Sequence, residues 1–210
     1  MAFKYSCFIS YCSGKEELIQ TFIDQIYRAI STEIELCLKK YPVFLDRKRL
    51  QSGDMFDPKI ASALCYSVCM VAVLTPSYYR QSYCLREYNA MEGLEKERFE
   101  KMNWVLNRRA GLILPIVLRG ADRIPDIIKG KRQCLDFSRF TLSSPNILKE
   151  TEFAEEIRKV AERINDFFEN FCETETDLCQ DCENFELPAE DKVPELRVQF
   201  KPAPKPFPFD

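Results

Sequence analysis

The segment Val68-Cys69-Met70-Val71-Ala72-Val73-Leu74 is apolar without interruption. A half-exposed strand would alternate, so a continuous run of this length marks a strand covered on both faces. Such a strand needs helices on either side of its sheet, which restricts the chain to layered α/β architectures. The flanking segments agree. Residues 4–9 form a short β-prone run, and Leu18, Ile19, Phe22, Ile23, Ile26 and Ile30 then recur at helical spacing. This helix is expected from Lys15 to about Lys40, where Pro42 stops it. Pro42 to Asp46 reads as a short buried strand, residues 47–57 as a polar loop containing Gly53, and Pro58 to Ser67 as a short helix.

Beyond the central run, Ser82 to about Val105 reads as a long helix. Leu112 to Leu118 reads as a second central strand, with Pro115 removing one ladder hydrogen bond. Cys134 to Phe137 is a last short strand. Phe153, Ile157, Val160, Ile164, Phe167 and Phe171 line a final amphipathic helix. Strands and helices alternate five times. The expectation is a flavodoxin-like, five-stranded parallel sheet of order 2-1-3-4-5 with helices on both faces. The domain is expected over residues 1–171, followed by an acidic and then proline-rich tail over 172–210.

Composition narrows the chemistry. The 210 residues include no histidine, which removes Ser-His-Asp and Cys-His catalysis, histidine-ligated metals and the usual base near neutral pH. The formal net charge of −3 offers no broad basic field for nucleic acid, and Arg47-Lys48-Arg49 is flanked by Asp46 and Asp54. No apolar run approaches the ~18 residues that span a bilayer. The amino-terminal residues lack the pattern of a signal peptide. A cytoplasmic, soluble protein is expected, bound to neither membrane nor nucleic acid. Most of the ten cysteines sit in apolar periodic segments as small hydrophobes, and a disulfide framework is not expected. Cys172, Cys179 and Cys182 supply three thiols and no histidine, short of a tetrahedral zinc set, so no metal site is expected. The acidic stretch around them reads as a solvated tail. The proline-rich end suits either a partner's aromatic groove or a loose terminus.

Three segments fall on loops at one edge of the expected sheet. They are Phe8-Ile9-Ser10-Tyr11, Phe44-Leu45-Asp46 with the polar loop through Gly53, and Leu74-Thr75-Pro76-Ser77-Tyr78 followed by Ser82-Tyr83-Cys84-Leu85-Arg86-Glu87. In this order and spacing they resemble the TIR (Toll/interleukin-1 receptor) domain family over roughly residues 4–170. The resemblance implies either a TIR–TIR interaction module without activity, in which Glu87 is incidental, or an enzyme of the bacterial type that cleaves NAD+. In the enzymes a glutamate matching Glu87 is catalytic, and the glutamate is present here with its serine-aromatic-cysteine lead-in. Tyr83 stands where the family usually has tryptophan. A flavodoxin-like receiver domain is the weaker alternative, because Ser10 and Tyr11 occupy the place of its acidic cluster.

The chemistry suits a carboxylate. Nicotinamide leaves NAD+ from an oxocarbenium-like ribose, and a carboxylate beneath that ribose stabilises the growing charge. NAD+ is then the substrate and no cofactor is implied. Water trapping gives ADP-ribose, and an atom of the same molecule gives a cyclic isomer. Tyr83 lies four residues before Glu87 on the same helical face, where an aromatic ring suits the cationic nicotinamide. Phe8 is a second aromatic wall. Ser10 and Tyr11 are placed for phosphate or ribose, Cys84 packs at the site, and Asp46, Arg49 and Gly53 line the loop that covers it in the family. Each has a plainer reading as well. Glu87 suits the start of a helix, Phe8 and Tyr83 suit packing, and Asp46 suits a loop brace. The resemblance also implies self-association, and architecture suggests the signal-making component of an anti-phage defence such as Thoeris, read by a separate effector.

Overall fold

The computed structural model describes residues 3–12, 17–46, 56–102, 111–140, 146–172, 177–179 and 181–194. Four parallel strands, β1 (Tyr5–Tyr11), β2 (Ser67–Leu74), β3 (Ile113–Val117) and β4 (Leu135–Asp136), lie side by side in that order. Every residue of β2 is buried, as its unbroken apolar run requires. Among the described residues these α-helices accompany them: α1 (Glu17–Cys37), α2 (Phe56–Cys65), α3 (Ser82–Lys101), α4 (Asp126–Lys129) and α5 (Thr151–Cys172). Helices α1 and α5 pack together against one side of β1 and β2, and α2 and α3 pack together against the other.

The expected fifth strand is the main correction. Residues 42–46 hold the edge of β1 through a single parallel bridge, Phe8 with Phe44. The amide of Phe44 donates to Cys7 O at 2.8 Å, and the amide of Ile9 donates to Phe44 O at 2.9 Å. Pro42 accepts from Ser6 N at 3.2 Å but has no N–H to give, and Asp46 is already helical, so the ladder stops short around the buried Val43, Phe44 and Leu45. The segment sits where order 2-1-3-4-5 puts its second strand, but it is too short to count as one.

Pro115 lies inside β3 without damage. The ladder from β2 uses Leu112 O, which accepts from Met70 N, and Leu118 N, which donates to Leu74 O. Even-numbered residues of β3 therefore face β2, and odd-numbered ones face β4. Strand β4 pairs only with Ile116 and Val117, so the N–H that Pro115 lacks has no ladder partner to lose.

The acidic segment after α5 is folded back on the domain, contrary to the expected solvated tail. Cys182 forms a disulfide with Cys65 at the end of α2, and Leu178, Cys179 and Leu187 are buried. Glu183 accepts from Lys4 Nζ and from Tyr66 Oη, each at 2.8 Å. Further along, Arg86 Nε donates to Pro188 O at 2.8 Å and Ser82 Oγ donates to Glu190 Oε1 at 2.6 Å. This strap crosses from the amino ends of the strands to the first turn of α3. Its apolar residues explain the docking, and Glu183, the Pro188 carbonyl and Glu190 serve as acceptors along it.

Arg98 anchors the lower end of the same face. It is 1 % exposed, yet its Nη atoms donate to Cys65 O at 2.6 Å, Ser67 O at 2.9 Å and Val68 O at 3.1 Å. These carbonyls belong to the last turn of α2 and the start of β2, and Cys179 Sγ adds a weak contact to Cys65 O at 3.9 Å. Burial lowers its guanidinium to about 10.

Candidate active site

Residue alternation along β1 puts Ser6, Phe8 and Ser10 on the face toward α3. Ser10 is the last of these before the carboxyl end of the strand, and its hydroxyl donates to Glu87 Oε2 at 2.5 Å. Glu87 lies in the second turn of α3 and is 5 % exposed. The phenol of Tyr78, just past the end of β2, contacts the same Ser10 oxygen at 2.8 Å. Three oxygens from β1, the β2–α3 connection and α3 thus form one buried chain at the carboxyl edge of the sheet. This edge is where ligands bind in open α/β sheets, and the strand order changes direction here, between β1 and β2.

Removal from water pushes the Glu87 carboxyl up to about 8. The bond from Ser10 and the charge of Arg86 act downward, while Asp46 acts upward. At that value the carboxyl is mostly neutral at pH 7. Asp46 accepts from Tyr11 Oη at 3.0 Å, which ties the segment after the Phe44 bridge to the end of β1. Cys84 Sγ is 3.5 Å from Tyr11 O, and a hydrogen bond from Cys84 lowers the half-buried Cys12 thiol to about 7. Burial raises both the Tyr78 and the Tyr83 phenols.

Of the residues singled out in the sequence, Ser10, Tyr11, Asp46, Tyr83, Cys84 and Glu87 converge on this edge. Tyr83 is half-buried with the Arg86 guanidinium 5.5 Å from its ring centre, so a cation already lies over one aromatic face. Phe8 is one pleat back from Ser10, 1 % exposed and stacked on Phe44 at 5.2 Å. In this conformation it is core beneath the site. Arg49 and Gly53 lie outside the described residues.

Sequence reasoning quoted Tyr78 only as part of a motif and gave it no role. A tyrosine four residues past the end of the unbroken apolar run 68–74 was the available signal. Arg98 was missed as well, although Met91, Leu94 and Arg98 share one face of α3 and a cation on an apolar stripe marks a buried partner.

A family model for the TIR domain matches residues 7–146. The chain belongs to the TIR domain family. The match begins in β1, runs through the Ser10, Tyr78 and Glu87 constellation and ends before α5. Among solved structures, this TIR domain is similar to that of the Toll-related receptor TRR-2 from Hydra magnipapillata. Identity is 16 %, over 80 % of this chain and 98 % of the other, with a TM-score of 0.40. No curated protein matches the chain. No helix among the described residues of this TIR domain is long and apolar enough to cross a membrane.

Proposed function

We propose that this TIR domain cleaves the nicotinamide–ribose bond of NAD+, with Glu87 as the catalytic carboxylate. The observation that carries the proposal is the buried Glu87 carboxyl, held by Ser10 at the carboxyl edge of the sheet. A carboxyl kept out of water interacts strongly with any positive charge brought beside it. The cationic nicotinamide ring is such a charge, and the oxocarbenium-like ribose that follows is another. Substrate binding draws Glu87 into its ionised form. The ionised group then stabilises the ribosyl cation as the C–N bond breaks and nicotinamide leaves with the bonding electron pair. Water attack on the cation yields ADP-ribose and a proton, and attack by a nucleophilic atom of the same molecule yields a cyclic isomer. Tyr83 and Tyr11 border the ring and ribose, with Asp46 beside them. The product acts as a signal read by a separate effector in cytoplasmic defence, and TIR–TIR contacts assemble the active form.

A second reading, a non-enzymatic TIR–TIR adaptor, draws on the same burial. A carboxyl 5 % exposed and bonded to a serine also serves as a plain structural link. The two readings part on turnover. Concentrated protein is incubated with NAD+ and the products are resolved by mass spectrometry, beside Glu87→Gln. The enzyme reading expects nicotinamide release that falls at least a hundredfold in the variant. Equal traces from both proteins would leave the adaptor.

A further inference from the structure

We propose that Tyr78 is a positioning residue for Glu87, acting through Ser10 to hold the carboxylate in place and favour its ionised form. The inference rests on the reading of Glu87 as the catalytic carboxylate and extends it to a residue that never touches substrate.

The argument is an accounting of protons. A serine hydroxyl has one proton to give and two lone pairs with which to accept. Ser10 gives its proton to Glu87 Oε2, so the 2.8 Å contact with Tyr78 is made with Tyr78 as donor. The chain runs Tyr78 O–H to Ser10 O–H to the carboxylate. Among the described residues, Ser10 is the hydrogen-bond partner of the Tyr78 oxygen. Both protons are then placed and every bond points toward the charge. An ionised Oε2 accepts from Ser10 more strongly than the carbonyl oxygen of a neutral acid, and the proton from Tyr78 polarises the Ser10 hydroxyl in the same direction. The chain therefore opposes the burial that raises the carboxyl.

Geometry gives the chain a second effect. Ser10 is 1 % exposed and Tyr78 fully buried, so neither side chain has room to rotate away. The Ser10 rotamer is set by two partners rather than one, and it fixes the carboxylate oxygen that faces the ribose. The other groups around Glu87 are Asp46 beyond the Phe44 bridge, and Tyr83, Cys84, Arg86 and Tyr88 on α3. Asp57 on α2 pairs with Arg86 at 3.4 Å. The Ser10 hydroxyl bonds to Tyr78 and to Glu87, so Tyr78 acts on the carboxyl through a hydrogen-bonded route.

The test reads Glu87 directly. Protein carrying 13C at the glutamate side-chain carboxyl is titrated by NMR, and the Glu87 signal is assigned by its loss in Glu87→Gln. Ser10→Ala removes a hydrogen bond to a charged group and should raise the midpoint by about one pH unit, a tenfold change in proton affinity. Tyr78→Phe removes one oxygen, keeps the ring and should raise the midpoint by about 0.3 to 0.5. In the Ser10→Ala background Tyr78→Phe should add nothing. Should Ser10→Ala not fold, Ser10→Cys, a weak donor of similar shape, takes its place. An unmoved midpoint in Tyr78→Phe, or shifts that add in the double variant, would overturn the relay. Nicotinamide release is measured on the same samples, and its pH profile should move with the NMR midpoint. Shifted midpoints without release from any sample would sink the NAD+ reading and leave the relay. Release that depends on Glu87 with fixed midpoints would do the reverse.

Discussion

Replacing Glu87 by glutamine should make the protein less sensitive to alkali, and the size of the effect follows from the site. The carboxyl is held at about 8 against an ordinary 4.5. A group whose folded value is raised stabilises the fold fully below its unfolded value and loses that contribution as pH climbs through the folded one. For Glu87 the loss runs from about pH 4.5 to pH 8, and the difference corresponds to about 5 kcal/mol as a ceiling. That is comparable with the whole stability of many domains. Glutamine has nearly the same shape, can still accept from Ser10 and carries no charge at any pH. It adds two N–H donors to a buried site, which costs about 1–3 kcal/mol at every pH. Wild type should therefore be the more stable protein at pH 5 and the less stable one by pH 8.5, with the curves crossing between. Urea unfolding of both proteins at half-unit pH steps measures this, because titrating groups remote from Glu87 contribute equally and cancel in the difference. A difference that stays flat from pH 5 to 8.5 would refute the claim that Glu87 is buried uncharged.

Three further outcomes follow from the same structure. If nicotinamide binds beside a mostly neutral Glu87, NAD+ binding at pH 7 should release a fraction of a proton, seen as a buffer-dependent calorimetric enthalpy that Glu87→Gln abolishes. Arg98→Met takes the guanidinium donors from the buried carbonyls of Cys65, Ser67 and Val68 and should cost about 1–3 kcal/mol for each one left unsatisfied in chemical denaturation, with Arg98→Lys in between. Removing the Cys65–Cys182 link by paired serine substitutions frees a loop of sequence separation 117 and should lower stability by about 2–5 kcal/mol in non-reducing buffer. That gap should vanish when wild type is measured with excess dithiothreitol.

Architecture was readable because the signals for it are local. The apolar run 68–74 and the helical spacings of Phe22 and of Phe153 each report their own burial, and the observed elements fall on them. The second strand failed because pairing length is not a property of the apolar residues alone. Pro42 and the early helix at Asp46 cut it to one bridge. The site was legible as motifs, and Ser10, Asp46 and Glu87 do meet, since residues at the ends of adjacent parallel strands have little choice. Phe8 shows the limit of that logic: two residues deeper on the same face, it meets Phe44 instead of the opening. The strap was hidden for a different reason. Averaged over its length the segment is acidic and polar, while its docking depends on Leu178, Cys182 and Leu187, and their partners on α2 and α3 lie about a hundred residues away.

The strap also bears on how this protein is best handled. Glu190 rests on Ser82, so this turn of the strap lies within a few residues of the rim beside Glu87. A bulky label attached at that turn would stand at the doorway and compete with whatever enters or assembles. Residue 3 packs against Phe171 and lies at the opposite edge of the sheet. A label joined on that side leaves the doorway clear. The same geometry makes a reporter at the turn of the strap a sensitive one, since any ligand or second copy arriving at the site would change its surroundings.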